Sequence, residues 1–184
     1  PWSQQFFAHM GIAAPFKSIR HSIVALHYPA AAPDGLPTIN DVVHSFSARP
    51  SGRVSLVGVG EEEEVQTDGY NQGIDPHIGY VTLRSLSKRL PFMTNSTLAG
   101  GWSGLFTVTP DWHPVLGKIP EIDGLFCATG FSGHGFKLSP MVGVVMSELV
   151  TSKEPTSIDV SSLGIKRFET GDLLESSYGM RVLA

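Results

Sequence analysis

Apolar and polar positions along the chain fall into two rhythms. Residues 19–28, IRHSIVALHY, are extended and rich in β-branched side chains, which predicts a strand. After a Pro/Ala/Asp/Gly loop at 29–37, DVVHSFSA (41–48) and RVSLVGV (53–59) predict two more strands, with the turn between them in RPSG. Residues 98–109 predict a further strand, and GLFCATG (124–130) a short buried one. Helical spacing appears in three places. At the start, Trp2, Phe6, Phe7 and Met10 share one face, and Gly11 supplies a stop. In HIGYVTLRSLSKRL (77–90), Ile78, Val81, Leu83, Leu86 and Leu90 form an apolar stripe that ends before Pro91. The third helix is predicted over 139–151, with Ser139 as N-cap and Pro140 in its first turn. WHPVLGKIPEIDG (112–124) reads as turns, and the tail 152–184 is mixed.

Composition narrows the field. At 184 residues, 41% hydrophobic and 16% charged, the chain is globular and long enough to bury a core. Its net charge of -4 and the lack of any Lys/Arg block argue against nucleic acid as a partner. No apolar run approaches about 18 residues, so no membrane span is expected. Cys127 is the only cysteine, which excludes a disulfide scaffold within the chain. Its apolar neighbours predict a buried, inert thiol. A chain without disulfides fits a reducing, cytoplasmic setting. Glu61 to Glu64 read as a solvated strand end or turn, since four adjacent carboxylates cannot all face one ion. The chain begins PWSQQ, without Met, which suggests a piece of something longer.

The candidate chemistry lies at 130–140, GFSGHGFKLSP, between a buried strand and a helix. Glycines there permit positive φ and close approach of a flat ligand. The helix start offers N–H groups and partial positive charge, and Lys137 adds a full charge beside it. Such a site suits an anion or an electron-rich carbonyl. The stretch fits neither GxGxxG nor GxxxxGK[ST], so it is not a nucleotide phosphate loop. Taken singly, His134 also reads as a turn histidine and Lys137 as a surface lysine. No metal site is expected, because His113, His134 and Cys127 lack the usual ligand spacing. Ser132 and His134 lie two apart on one turn, outside any GxSxG elbow, which argues against a nucleophile pair.

GWSGLFTVTPDWHPVLG (101–117) and DGLFCATGFSGHGFKLSPMVG (123–143) together resemble the C-terminal signature of the flavin-dependent amine and amino-acid oxidoreductases related to D-amino-acid oxidase. The likeness is nearest to the sarcosine oxidase, dimethylglycine dehydrogenase and β-subunit proline dehydrogenase branch. It rests on Trp102, Gly104 and Leu105; Thr109, Pro110 and Asp111; Pro114 and Gly117; Gly124, Leu125 and Phe126; and Gly130 to Phe136. Asp41, Arg49, Pro50 and LVGVGEEEE more weakly resemble the family's substrate domain.

The resemblance implies an α+β fold, α/β in its flavin part: a mostly antiparallel substrate-domain sheet with flanking helices, plus the C-terminal part of a Rossmann-like FAD domain. The GxGxxG half is absent from these residues. The division expected is an FAD-domain remnant at 1–13, a substrate domain at 14–97, FAD domain again at 98–151, and a tail at 152–184. The 184 residues then read as the C-terminal half of an enzyme about twice as long, whose missing half or partner subunit completes the FAD site.

The implied cofactor is FAD, and the implied reaction oxidises the C–N bond of a secondary or tertiary amine or amino acid. A hydride equivalent goes to flavin N5, and the imine hydrolyses. The resemblance places Gly104, Thr109, Pro110, Gly130, Phe131, Ser132, Gly133, His134, Gly135, Phe136 and Lys137 at the cofactor. It places Lys137 and His134 at the chemistry, and Lys137 and Phe106 at the substrate. Gly104 stands where monomeric sarcosine oxidases carry a flavin-linking cysteine, so flavin is non-covalent at this position. Phe106 stands where glycine oxidase and D-amino-acid oxidase carry an arginine for the substrate carboxylate. Trp102 is expected to anchor the core, and Asp111 to cap backbone. A non-catalytic scaffold or partner subunit that keeps the fold is the alternative.

Overall fold

The computed structural model describes residues 1–59, 63–152 and 155–175. Glu61 and Glu62 of the acidic run, and the ending RVLA, lie outside the described residues. The chain forms two compact units. One comprises Pro1–Ser18 and the described chain from Phe106 onward; the other is Ile19–Leu105.

The Ile19–Leu105 unit is built on an antiparallel sheet. Its strands are β1 (Lys17–His27), β2 (Ile39–Asp41), β3 (Phe46–Ser51), β4 (Val54–Val59) and β5 (Glu63–Glu64), in the order β2-β3-β4-β1-β5. A long strand, β6 (Thr97–Val108), also pairs with β1. Alternate residues of β1 and β4 point one way. Val24, Leu26 and Val57 thereby meet Phe46, Ala48 and Val59, and pack with Leu86 and Met93. Leu86 lies on the helix Pro76–Arg89; of the predicted stripe, Ile78, Leu83, Leu86 and Leu90 pack on this core, and Val81 is not among the residues that do.

The other unit begins with α1 (Ser3–His9) and carries the hairpin of β7 (Val115–Lys118) and β8 (Phe126–Thr129). The helix just described is α2, and α3 (Gly135–Ser152) and α4 (Arg167–Thr170) complete the set. Neighbouring residues of β7 face opposite ways. Val115 joins Phe7, Ile12, Phe16, Ile119 and Ile165, whereas Leu116 joins Val145, Leu149 and Val160.

Several expectations need correction. Residues 41–48 are not one strand. The Asp41 carboxylate accepts the Val43 and His44 amides, both at 2.9 Å, and this side-chain turn ends β2 before β3 begins. The hairpin turns at Gly52 and Arg53, so Arg49, Pro50 and Ser51 belong to β3. The turn-rich stretch 112–124 contains β7. The strand at 126–129 is half-buried rather than buried. Trp102 is not a core anchor, being 49% exposed, and on α1 only Phe7 is buried. Helix α3 starts at Gly135, four residues earlier than predicted, and contains Pro140. Proline has no N–H for the Phe136 carbonyl. The Ser139 hydroxyl donates to that carbonyl instead, at 2.9 Å, which lets the helix run through.

Candidate functional site

The glycine turn leaves β8 at Gly130 and enters α3 at Gly135. Gly130 and Gly133 have φ of 69° and 88°, and Ser132, with a side chain, has φ of 50°. A left-handed non-glycine residue persists only where its surroundings hold it, and such outliers gather at functional sites. Ser132 is held closely. Its N–H donates to the Thr107 carbonyl at 3.0 Å, its hydroxyl donates to the Gly130 carbonyl at 3.2 Å, and the same oxygen accepts the Thr109 amide at 3.4 Å. The His134 amide donates to the Phe131 carbonyl at 2.8 Å, which closes the turn. A Cβ on Gly130 would lie 2.5 Å from the Thr109 methyl, so the backbone approaches the end of β6 at a distance only glycine allows. A Cβ on Gly135 would press on the Phe131 ring at 3.1 Å.

Beneath the turn lies an ion pair. Asp111 is 2% exposed and Arg167 5%. Arg167 Nε and Nη2 donate to the two carboxylate oxygens at 2.7 and 3.0 Å. The guanidinium also donates to the carbonyls of Leu163, Gly164 and His113, and it lies 4.2 Å from the centre of the Phe168 ring. Asp111 accepts the His113 and Leu174 amides, and the Thr109 hydroxyl lies 3.1 Å from its carboxylate. Asp111 therefore caps backbone, as the sequence predicts, and also meets a cation that the sequence reading missed. Only the need of a buried carboxylate for a partner could have pointed to Arg167, fifty-six residues away in the mixed tail.

Burial alone would raise the Asp111 carboxyl, but Arg167 and the two amides outweigh it and hold it down at about 2, against an ordinary 3.8. A depressed carboxylate contributes stability that is present above its unfolded value and is lost as pH falls. Acid titration of the fold is therefore expected to lose about 2 kcal/mol between roughly pH 4 and pH 2. Asp111→Asn should flatten that limb; an unchanged acid limb in the variant would contradict the assignment.

The other candidates sort by unit. Phe106, Thr109, Pro110 and the 130–137 stretch belong to one unit, and Gly104 to the other. Thr109 is buried under the turn, and Pro110 is exposed. His134 and Phe106 are half-buried, and Lys137 is exposed on the first turn of α3. The Phe136 ring is 96% exposed. Cys127 is half-buried, and burial pushes its thiol up to about 11, which fits an inert group.

In the Ile19–Leu105 unit the sequence reading missed Arg20. It is buried and donates to Asp75 and Glu63 at 2.9 and 3.1 Å, and to the carbonyls of Asn71 and Gly73. These bonds tie the segment before α2 to β1 and β5. Among the described residues, no cluster of three or more His, Cys, Asp or Glu side chains could hold a metal ion, and no helix is long and apolar enough to cross a membrane.

A family profile described as FAD dependent oxidoreductase matches residues 1–149. The chain is 27% identical to sarcosine oxidase subunit beta of Rhodobacter capsulatus over 179 residues, covering 92% of this chain and 41% of that protein. It is 28% identical to FAD-dependent oxidoreductase domain-containing protein 1 of Xenopus laevis over 161 residues, covering 86% of this chain and 32% of that one. Among solved structures, L-proline dehydrogenase from P. horikoshii superposes with a TM-score of 0.80 at 26% identity, covering 94% of this chain and 46% of that chain. The chain thus spans less than half the length of each of these relatives.

Proposed function

The chain belongs to the FAD-dependent oxidoreductase family, and from that premise we propose that it is part of an enzyme oxidising the C–N bond of a small secondary or tertiary amine or amino acid of the sarcosine, dimethylglycine or proline type. The observation that carries this reading is the strained, over-determined turn at Gly130–Gly133, set at the start of an eighteen-residue helix. When bound, FAD supplies the two-electron acceptor for the substrate. The residues present fit one edge of such a ring. Gly133 is exposed and has no side chain, which leaves the outer side of the turn open to a flat group. A helix start presents backbone N–H groups and the positive end of the helix dipole, which favour negative charge. Lys137 holds a positive charge on the same turn. In this reading it also binds the substrate carboxylate, while Phe106 walls an N-methylated or ring substrate. His134 hydrogen-bonds the turn or the cofactor. We assign the flavin edge to the unit containing 106–152 and the substrate-binding sheet to Ile19–Leu105. Sarcosine oxidase subunit beta is one part of a larger assembly by its name, which supports a partner subunit for this chain too.

An absorption spectrum of the full polypeptide carrying this sequence tests the reading. A flavin band that bleaches anaerobically with sarcosine, dimethylglycine or proline is the expected result. A protein that shows no flavin band after FAD is supplied would overturn it. Lys137→Met is expected to lower kcat/KM for these substrates about 10- to 100-fold, the worth of a hydrogen bond to a charged group. The loss should appear mainly as a raised KM. An unchanged KM would remove Lys137 from the substrate site.

A further inference from the structure

We propose that Arg167 is a positioning residue that fixes the glycine turn at the mouth of α3, through Asp111, Thr109 and Ser132. The inference rests on the reading of that turn as the flavin-facing wall, and it adds a residue outside every matched motif.

The linkage is continuous in space. Arg167 grips Asp111 through two nitrogens at 2.7 and 3.0 Å. The Asp111 carboxylate lies 3.1 Å from the Thr109 hydroxyl, which also donates to the His113 carbonyl at 2.8 Å. Thr109 in turn meets Ser132 through its amide, and its methyl fills the space where a Cβ on Gly130 would stand. Among the described non-glycine residues of this unit, two have positive φ: Ser132 at 50° ends this path, and Trp112 at 62° follows Asp111 and donates its amide to the Thr109 carbonyl at 3.1 Å. Such conformations relax unless several contacts hold them. Arg167 is itself fixed: it donates to three backbone carbonyls, and Phe168 stacks edge-on against Phe16 with ring centres 6.3 Å apart. The guanidinium fork is what makes this arrangement. A lysine at 167 has one nitrogen and could not span both carboxylate oxygens and the carbonyls.

Arg167 does not touch the proposed ring, so its effect must travel through the turn. Amide hydrogen exchange reads this directly, without flavin. In Arg167→Met, exchange of the Thr109, Ser132 and His134 amides is expected to rise at least tenfold more than that of the amides at 145–150, which follow the loss of global stability. In the flavin-loaded full polypeptide, the same variant is expected to favour reduced flavin about tenfold less. For a two-electron couple that is a midpoint potential about 30 mV more negative. Arg167→Lys should restore only part of either change. Should Arg167→Met fail to fold, Thr109→Val cuts the middle of the path with little change in volume. It should loosen the same three amides and leave residues 163–168 protected. Faster exchange confined to 111–113 and 163–168, or spread evenly over the unit, would overturn the proposal, as would an unchanged potential. If the amides loosen as stated but even the unmodified protein takes up no flavin, the functional reading fails and the linkage stands. If flavin binds and the amides do not loosen, the reverse holds.

Discussion

Arg167→Met is expected to lower the stability of the folded protein by about 3–5 kcal/mol, the cost of leaving one partner of a buried ion pair behind. Two terms set this size. Asp111 would remain buried at 2% exposure with only backbone amides and the Thr109 hydroxyl to satisfy its charge. The carbonyls of His113, Leu163 and Gly164 would each lose the guanidinium as a donor, although the Thr109 hydroxyl still serves His113 and the residue-167 amide still serves Gly164. Asp111→Asn should cost a similar amount from the other side, since it leaves the guanidinium uncompensated. The two losses should not add. With both charges gone, the double variant is expected to be more stable than the sum of the single effects predicts, by more than about 1 kcal/mol. Chemical denaturation of the four proteins at neutral pH measures this. A loss below about 1 kcal/mol for Arg167→Met would mean that the pair is hydrated and screened, against its observed burial.

Gly130→Ala is the second large effect. It carries two separate penalties: a side chain forced to φ of 69°, and a Cβ driven to within 2.5 Å of the Thr109 methyl. Backbone strain of this kind costs about 1–3 kcal/mol, and overpacking typically another 1–3 kcal/mol. A total near 3 kcal/mol is expected from thermal or denaturant unfolding. The contribution from overlap can be isolated. Thr109→Ser removes the methyl that the new Cβ would strike, so Gly130→Ala should cost less in that background. Gly133→Ala carries the backbone penalty, with φ of 88°, at an exposed position, and is expected to be the milder change in stability. Equal losses for the two glycines would show that crowding at Thr109 is relieved by a small backbone shift.

How much of this was legible depended on whether the cause was local. The stripe of α2 and the run of β1 are periodic, and both elements form where the spacing says. The glycine turn was legible because Gly130 and Gly133 take conformations that only their residue type adopts readily. Helix α3 was misjudged at its start because Ser139 and Pro140 form a familiar N-terminal pair. Here the serine serves the carbonyl that the proline leaves bare, and nothing in the order of the residues distinguishes the two arrangements. The same holds for Asp41, whose side chain ends a strand that the apolar pattern would continue. Trp102 was misplaced by reasoning from residue type: large aromatics are usually buried, but this one projects from β6. Arg167 and Arg20 were illegible for a different reason. Each is defined by acceptors dozens of residues away, and neither sits in a motif. The roles of Lys137 and His134 came from resemblance, and spacing alone would have left both as surface residues.

The distance between Asp111 and Arg167 along the chain has a consequence for synthesis. Asp111 leaves the ribosome fifty-six residues before its partner. At about 5–20 residues per second that is a wait of about 3–11 s. During that interval the hairpin of β7 and β8 and the body of α3 can emerge and begin to pack, while the carboxylate destined for burial stays hydrated. On the proposed linkage, a nascent chain halted before residue 167 carries every residue of the matched motifs but lacks the ion pair beneath them. Translation would complete the proposed linkage from behind: the signature is written first, and its arginine partner follows.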